Sequence, residues 1–292
     1  MQTPELVEAF LTALQGRRAA NTIAAYRSDL WRFALACPGP AAAITTTDLI
    51  DYLSTAGGGS PSTLARRQAS LRALFAWAFR MEHLPADPAA RLEGVAVPER
   101  LPRPLSAAAI EQILRAIPAA KLRDRLFFTL LRDTGIRVGE ALSVRWEDVD
   151  LREGDEQLRV LGKGGRERTV LLHAAPDTLR MLHRYRRVGT TSGYVFHGDP
   201  RRRGSTAAPM DYKSVHYAWR RYCTRAGVHA TIHQLRHSFV TELARGGMRL
   251  TTVQRLAGHR RLETTRTYAA VSDAEVKREL SDFRRRQAHQ QS

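Results

Sequence analysis

Residues 156–172, EQLRVLGKGGRERTVLL, decide the fold class that this sequence predicts. Apolar residues alternate with polar ones on both sides of a glycine-rich centre, at Leu158 and Val160 before it and at Val170 and Leu172 after it. Such alternation around a short glycine-rich turn is typical of a β-hairpin. Elsewhere the apolar residues recur mostly at helical spacing, so we predict a mainly α chain with one small β-sheet, an α+β arrangement.

Amphipathic helices fill the first part of the chain. Thr3 is the predicted cap of the first helix, and Asn21 is the predicted cap of the second. On the fourth helix, Arg66, Arg67 and Arg72 either contact phosphate or form a solvated face, and the sequence leaves both interpretations open. The four segments are TPELVEAFLTAL, NTIAAYRSDLWRFAL, TTDLIDYLSTA and STLARRQASLRALFAWAFR.

A proline-rich stretch separates these helices from the rest of the chain. Three prolines within residues 98–104 favour an extended connection over a packed helix. We therefore predict an N-terminal helical domain at 1–93, a linker at 94–104 and a second domain at 105–292. The second domain is mostly helical, with helices in SAAAIEQILRAI, KLRDRLFFTLLRDTG and RVGEALSVRW, and again from about Met210.

The charge of the chain indicates a polyanionic partner. The formal net charge is +17; residues 1–93 carry +1 of it and residues 94–292 carry +16. So basic a domain is typical of nucleic-acid binding, although solvated arginine-rich faces are the alternative. No apolar run is long enough for a membrane span, and the acidic, amphipathic start of the chain is unlike a signal peptide. Cys37 and Cys223 form neither a disulfide framework nor a metal-ligand pattern, which favours a reducing, cytoplasmic compartment.

Two separated segments carry arginine beside other titratable groups. In DTGIRVGEAL, a glycine breaks the chain and Arg137 opens the next helix, with Glu140 one turn on. In IHQLRHSF, the residues His233, Arg236 and His237 fall at i, i+3 and i+4, so one helical face carries all three. Two arginines and the histidines can form a pocket for a phosphodiester, because arginine binds non-bridging oxygens bidentately and histidine transfers protons near neutral pH.

Each of these residues also fits an ordinary structural role when taken alone. Arg137 fits a surface ion pair. His233 and His237 have the spacing of metal ligands, but no nearby Glu or Cys completes a zinc site.

A third segment, AGHRRLETTRTYAAV, supplies a candidate nucleophile. His259 directly follows a glycine, at a predicted helix start, and Tyr268 comes nine residues later among polar side chains. A phenol can form a covalent intermediate when its neighbours activate it. By themselves, His259 also fits a helix cap and Tyr268 a surface side chain.

Lys163, at the tip of the predicted hairpin, is a candidate proton donor. The chain has 42 arginines and four lysines, so a position that needs only positive charge nearly always holds arginine. Lysine can release a proton at accessible pH, whereas a guanidinium effectively cannot. The residue type therefore favours proton transfer over phosphate attraction at position 163.

Five segments in this order resemble the signatures of the tyrosine recombinases, the phage-integrase family, and most closely the Xer type. The resemblance covers the whole chain and implies an N-terminal four-helix, SAM-like DNA-clamp domain followed by a catalytic domain. Ala257 departs from the leucine that many relatives carry before the Gly-His pair, which affects packing and not chemistry. The segments are TGIRVGEAL, GKGGRER, HQLRH, AGH and TTRTY.

The resemblance also implies a role for each candidate residue. Arg137 and Arg236 would bind the scissile phosphate, and Lys163 would be the leaving-group acid. Tyr268 would be the nucleophile. The remaining members are His233 and His259 as acid–base and phosphate contacts, with Glu140 and His237 in support.

As a function, the resemblance implies site-specific cutting and rejoining of DNA through a 3′-phosphotyrosyl intermediate. Neither a metal, ATP nor any other cofactor is implied. Four protomers, identical or shared with a second recombinase, would exchange strands between two duplexes through a Holliday junction, in the nucleoid. The implied purpose is chromosome-dimer resolution or integration and excision of a mobile element. The segment at 272–287 is a predicted helix, with Val276 and Leu280 docking on a neighbouring protomer or on their own domain.

Two other functions remain open from the sequence. A type IB topoisomerase would use the same phosphotyrosine chemistry without site preference. An architectural or regulatory DNA-binding protein would bind without turnover.

Overall fold

Helices hold most of the residues that the computed structural model describes, which are 1–55, 59–98, 103–162, 165, 167–189, 192–198 and 208–258. The chain divides into two units, Met1–Arg100 and Leu101–Ser292. This division lies within the stretch that the sequence predicts as a linker. Among the described residues, no helix has the length and apolarity to cross a bilayer.

The first unit is a cluster of four helices around one apolar core. The helices are α1 (Thr3–Ala13), α2 (Ala20–Ala36), α3 (Thr46–Thr55) and α4 (Pro61–Arg80), so the four helices that the sequence predicts are confirmed. The stripes at helical spacing point inward, because burying them is what stabilises short helices. Aromatic rings at the centre pack edge to face, as Phe33 does against Tyr52 and Phe75. Other core members are Leu6, Val7, Phe10, Leu11, Leu30, Leu49, Leu71 and Leu74.

The predicted caps of the first two helices are wrong. The amide of Gln2, which precedes α1, donates to the Glu5 carboxylate at 2.8 Å, so these two residues form the cap. Thr3 lies inside the helix and is buried, because its hydroxyl donates to the Gly39 carbonyl at 2.9 Å. The second helix begins earlier than predicted, and Asn21 therefore lies within it.

Arg66 and Arg72 on α4 bind groups of their own unit. Arg66 forms an ion pair with the buried Asp29, whose carboxylate also accepts from the Ser70 hydroxyl at 3.1 Å. Arg72 donates to the Leu92 carbonyl. Both side chains therefore contribute to the packing of this unit.

The second unit surrounds a small sheet with helices. The sheet is antiparallel, in the order β1 (Val149–Asp150), β2 (Gln157–Leu161) and β3 (Glu167–Leu171), and pairs Leu158 with Val170 and Val160 with Arg168. The predicted hairpin is thus confirmed, while the short β1 and the helix at Pro176–Val188 were not predicted from the sequence. The elements are α5 (Ala107–Arg115), α6 (Leu122–Thr134), α7 (Val138–Ser143), β1 (Val149–Asp150), β2 (Gln157–Leu161), β3 (Glu167–Leu171), α8 (Pro176–Val188), α9 (Tyr212–Arg225), α10 (His233–Arg245) and α11 (Leu250–Ala257).

Helix α6 is the centre of the second unit, and it packs against α8 and α10. Its Phe127 and Phe128 are fully buried, and the Phe128 ring lies 5.0 Å from that of Trp219 on α9. The helix ends at Gly135, which has a φ of 60°. A Cβ on this glycine would lie 2.3 Å from a ring carbon of Phe239, so both the backbone conformation and the packing require glycine. The turn places Arg137 directly at the start of α7.

Candidate functional site

Arg137 and Glu140 form the first part of a charged cluster, at the start of α7. The backbone amide and the Nη1 of Arg137 each donate to a different carboxylate oxygen of Glu140, both at 2.8 Å. Glu140 is buried, with 4% of its area exposed, whereas the Arg137 side chain is 39% exposed. A carboxylate near a helix N-terminus is also favoured by the helix dipole. The geometry therefore fixes the Glu140 carboxylate and leaves part of the Arg137 guanidinium accessible.

Arg236 joins the cluster from α10. It is 4% exposed, and its Nη1 donates to the Gly135 carbonyl at 2.6 Å. Its Nη2 donates to the Ala257 carbonyl, at the end of α11, while the Nη2 of Arg137 donates to the Gly258 carbonyl at 3.1 Å. The last carbonyls of a helix carry partial negative charge and favour cations. Two arginines 99 positions apart in the sequence thus meet at the carboxyl end of one helix.

The two histidines of α10 lie beside Arg236. The ring centroids of His233 and His237 are 4.7 Å apart, in an edge-to-face arrangement. The pKa of His233 is lowered to about 4, first by desolvation and then by the neighbouring His237, Arg236 and Arg137. The pKa of His237 is lowered by desolvation and by Arg236. His233 also keeps contact with solvent, which screens these charges. The direction of the shift makes the neutral imidazole the form present at neutral pH.

We expect His233 to titrate well below the ordinary histidine range, because its charged form would be desolvated and would lie near other cations. The measurement is an NMR titration of the imidazole protons of the full chain, with His233→Gln identifying the signal. Replacing Arg137 by alanine should raise the midpoint, since one neighbouring cation is removed. A midpoint at or above about 6.5, the ordinary value, would contradict this electrostatic description.

The lowered pKa of His233 also predicts how folding stability changes with pH. A histidine whose folded pKa is lowered binds its proton more readily in the unfolded chain, so its contribution to stability falls as the pH drops from about 6.5 towards the folded pKa. The pH dependence of unfolding should therefore be shallower for His233→Gln than for the natural sequence across this window.

Arg168 on β3 is a member of the cluster that the sequence analysis missed. Its Nη2 donates to Glu140 at 2.9 Å, and its side chain is only 17% exposed. Burial lowers its pKa, which the charge of Glu140 opposes, and the guanidinium remains protonated. The signal was available in the sequence, because the alternation through Leu172 and Val170 places residue 168 on the buried face of the sheet.

Gly258 completes the cluster from the end of α11. It has a φ of 63°, and a Cβ there would lie 2.7 Å from the Nε of Arg168. The glycine therefore ends α11. The helix that the sequence predicts to start at His259 lies outside the described residues. The absence of a side chain lets the guanidinium of Arg168 approach the turn closely.

The structure brings Arg137, Glu140 and Arg236 together, because Arg137 contacts Glu140 directly and the two arginines donate to the adjacent carbonyls of Gly258 and Ala257. His233 and His237 lie next to them on α10. Three of the predicted site residues, Lys163, His259 and Tyr268, lie outside the described residues. So does the predicted helix at 272–287.

Chemically, the cluster is suited to an anion. The guanidinium groups of Arg137 and Arg168 bind one carboxylate, and that of Arg236 lies at the same helix end, which leaves an excess of positive charge. The most accessible of these three groups belongs to Arg137. Arginine forks match the oxygens of a phosphodiester or a carboxylate. Within the described ranges, no group of three histidine, cysteine or acidic side chains is arranged to hold a metal ion.

Comparisons with known proteins match both parts of the chain to models of one protein family. Residues 103–275 match the phage integrase family, and residues 7–82 match the phage integrase N-terminal SAM-like domain. The tyrosine recombinase XerD of Ralstonia nicotianae is 35% identical over 282 residues, covering 92% of this chain and 90% of that protein. The tyrosine recombinase XerA of Pyrococcus furiosus is 32% identical over 276 residues, covering 94% of this chain and 92% of that protein.

Solved structures share the fold. A lambda integrase fragment, residues 75–356, solved as a dimer bound to a COC′ core site, aligns with a TM-score of 0.73 at 19% identity, covering 92% of this chain and 95% of that one. The XerH recombinase, in a post-cleavage complex with a palindromic difH substrate, aligns with a TM-score of 0.71 at 21% identity, covering 97% and 85%. At these identities the likeness establishes the architecture alone.

Proposed function

Because this chain belongs to the phage integrase family of tyrosine recombinases, we propose that it cleaves and rejoins DNA at a specific site through a covalent phosphotyrosyl intermediate. The single observation that best supports the proposal is the meeting of Arg137 and Arg236 at the end of α11. Charge agrees with it, since residues 94–292 carry a balance of +16 for phosphate neutralisation.

In the proposed reaction, the phenolic oxygen of Tyr268 attacks the scissile phosphorus. A phosphorus–oxygen bond to Tyr268 forms, and the bond to the 5′-oxygen breaks, which leaves a 3′-phosphotyrosyl end. Neutral His233 accepts the phenolic proton, and Lys163 gives a proton to the departing 5′-oxygen. Arg137 and Arg236 neutralise charge on the non-bridging oxygens as the phosphorane forms.

Rejoining is the reverse of cleavage. A 5′-hydroxyl of the partner duplex attacks the phosphotyrosyl phosphorus and gives its proton to Lys163. The bond to Tyr268 breaks, and the phenolic oxygen recovers its proton from His233. Since the covalent link conserves the energy of the phosphodiester bond, the exchange requires no nucleotide hydrolysis. His259 adds a contact to the same phosphate, and Glu140 and His237 support the arginines and His233.

Strand exchange requires more than one protomer. A lambda integrase tetramer bound to a Holliday junction shares this fold, with a TM-score of 0.71 at 19% identity. We assign residues 1–93 to a clamp on one side of the duplex and residues 105–292 to catalysis, joined by the linker at 94–104. Four protomers, alike or mixed with a second recombinase, then act on paired sites in the nucleoid, where the segment at 272–287 docks between neighbours.

The test is to trap the covalent complex. The full chain is incubated with nicked, fragmented DNA of the organism that encodes it, and protein-linked 3′ ends are mapped by sequencing after proteolysis. We expect adducts at one short recurring sequence. Relaxation of supercoiled plasmids that lack that sequence would instead indicate a topoisomerase, and the absence of any adduct would leave a DNA-binding protein without turnover.

The role of Lys163 is testable with a modified leaving group. Lys163→Ala should slow cleavage by about 10²–10⁴-fold, because the departing oxygen then lacks its proton donor. When sulfur replaces the 5′-bridging oxygen, a thiolate leaves without that proton, and cleavage by Lys163→Ala should recover. Lys163→Arg keeps the charge and should fail like Lys163→Ala on the oxygen substrate. Equal defects of Lys163→Ala on both substrates would show that this lysine is a phosphate contact only.

A further inference from the structure

Arg168 is a charged residue at an apolar position of the sheet. It pairs with Val160 across the strands and follows the same alternation as the buried Val170, so its side chain enters the interior of the second unit. Its Nε and Nη1 are buried and have no hydrogen-bond partner among the described residues. Burying a guanidinium is costly, and a buried ion pair often stabilises a fold no better than an apolar side chain of similar size. Stability alone therefore gives a weak reason for arginine at this position.

The contacts of Arg168 lead to Arg137 through one carboxylate. The Oε2 of Glu140 accepts from the Nη2 of Arg168 at 2.9 Å and from the Arg137 amide at 2.8 Å, and its Oε1 accepts from the Arg137 Nη1 at 2.8 Å. The terminal torsion of a glutamate is broad, so the orientation of a carboxylate depends on its hydrogen bonds. Removing Arg168 would leave this carboxylate held from one side only.

The same guanidinium also lies against the end of α11. The Nε of Arg168 is 2.7 Å from the place that a Cβ of Gly258 would occupy, and the Gly258 carbonyl accepts from Arg137. Arg168 therefore contacts both groups that hold the Arg137 guanidinium, namely the Glu140 carboxylate and the Gly258 turn.

We propose that Arg168 is a positioning residue for DNA cleavage, which orients the Arg137 guanidinium towards the scissile phosphate by fixing Glu140 and the Gly258 turn. This inference rests on the proposed recombinase function. It assigns Arg168 no contact with DNA: its effect on the phosphate passes through Arg137.

The experiment compares two substrates that differ in phosphate charge. One is a nicked duplex of the mapped cleavage sequence, and the other carries a methylphosphonate at the scissile position, in which a methyl group replaces one non-bridging oxygen and removes the negative charge. An arginine that acts by neutralising this charge matters less on the uncharged substrate. Single-turnover adduct formation is measured for the natural sequence, Arg168→Met, Arg168→Lys and Arg137→Ala. Arg159→Met is the matched control, because Arg159 lies on the neighbouring strand, is exposed and pairs with Asp148 at 3.6 Å.

On the phosphodiester, Arg168→Met should cleave about 10²-fold more slowly, as expected for a misplaced catalytic group. On the methylphosphonate, its deficit relative to the natural sequence should shrink by about tenfold or more, in parallel with that of Arg137→Ala. Arg159→Met should match the natural sequence on both substrates. DNA binding by Arg168→Met, measured by gel shift, should stay within the range of the control.

Three results would overturn the inference. Natural cleavage by Arg168→Met excludes a positioning role, and an equal deficit on both substrates indicates a purely structural role. If Arg168→Met does not fold, Arg168→Lys is read by the same two criteria, because it retains a charge next to Glu140. If the natural sequence forms no adduct on either substrate, the recombinase function itself fails, together with this inference.

Discussion

Replacing Tyr268 by phenylalanine is expected to abolish covalent attachment to DNA while DNA binding is retained. The substitution removes one oxygen atom, the proposed nucleophile, and leaves an aromatic ring of nearly the same size. Since no phosphotyrosyl bond can form without that oxygen, the rate of adduct formation should fall below detection. The measurement is denaturing electrophoresis of protein incubated with end-labelled nicked DNA.

Tyr217 provides the matched control for this experiment. It lies on α9 and is 71% exposed, so Tyr217→Phe removes a phenolic oxygen from the surface of the same unit. Adduct formation by Tyr217→Phe should equal that of the natural sequence. An adduct formed by Tyr268→Phe, with another residue identified by peptide mapping, would disprove the assignment of the nucleophile.

The second large effect is expected at Arg236. Its substitution by alanine removes a fixed positive charge from the proposed phosphate site, and losing one preorganised donor of this kind costs about 2.7–4 kcal/mol in the transition state. Cleavage should therefore slow by about 10²–10³-fold. Because Arg236 also donates to the Gly135 and Ala257 carbonyls, the free energy of unfolding should fall by about 1–3 kcal/mol for each buried acceptor left unpaired.

Arg245 serves as the control for charge. It is an exposed arginine at the other end of the same helix, so Arg245→Ala changes the net charge equally. Single-turnover cleavage and urea unfolding are measured for both variants. Equal cleavage by Arg236→Ala and Arg245→Ala would show that Arg236 holds the fold and has no part in the reaction.

Arg137 and Arg236 were predictable because the sequence signals that mark them extend over only a few neighbouring residues. A glycine that ends a helix places Arg137 at the next start, and i, i+3 and i+4 spacing places Arg236 beside His233 and His237. These signals depend on backbone geometry over a few residues, so they survive in the folded chain. The four helices of the first unit and the hairpin were predictable for the same reason.

The partners of these residues were not predictable from side-chain patterns. Arg137 and Arg236 bind backbone carbonyls at residues 258, 135 and 257. Every residue has the same carbonyl, so only the fold determines which carbonyl lies within reach. Arg168 was missed because its polar character conceals its place in the strand alternation. Thr3 was misassigned as a cap because a contact with Gly39, 36 residues away, determines its environment.

The bonds of Arg236 to two carbonyls also explain the choice of residue type, by a count of donors. A guanidinium has five N–H groups in a fixed plane, whereas an ammonium has three on one nitrogen. The carbonyls of Gly135 and Ala257 take hydrogen bonds from two separate nitrogens of Arg236, which a single ammonium nitrogen cannot reproduce. A residue that must close two chain turns and also attract a phosphate therefore needs the larger, branched donor set. In a chain with 42 arginines, the arginine at this position follows from hydrogen-bond valence as well as from charge.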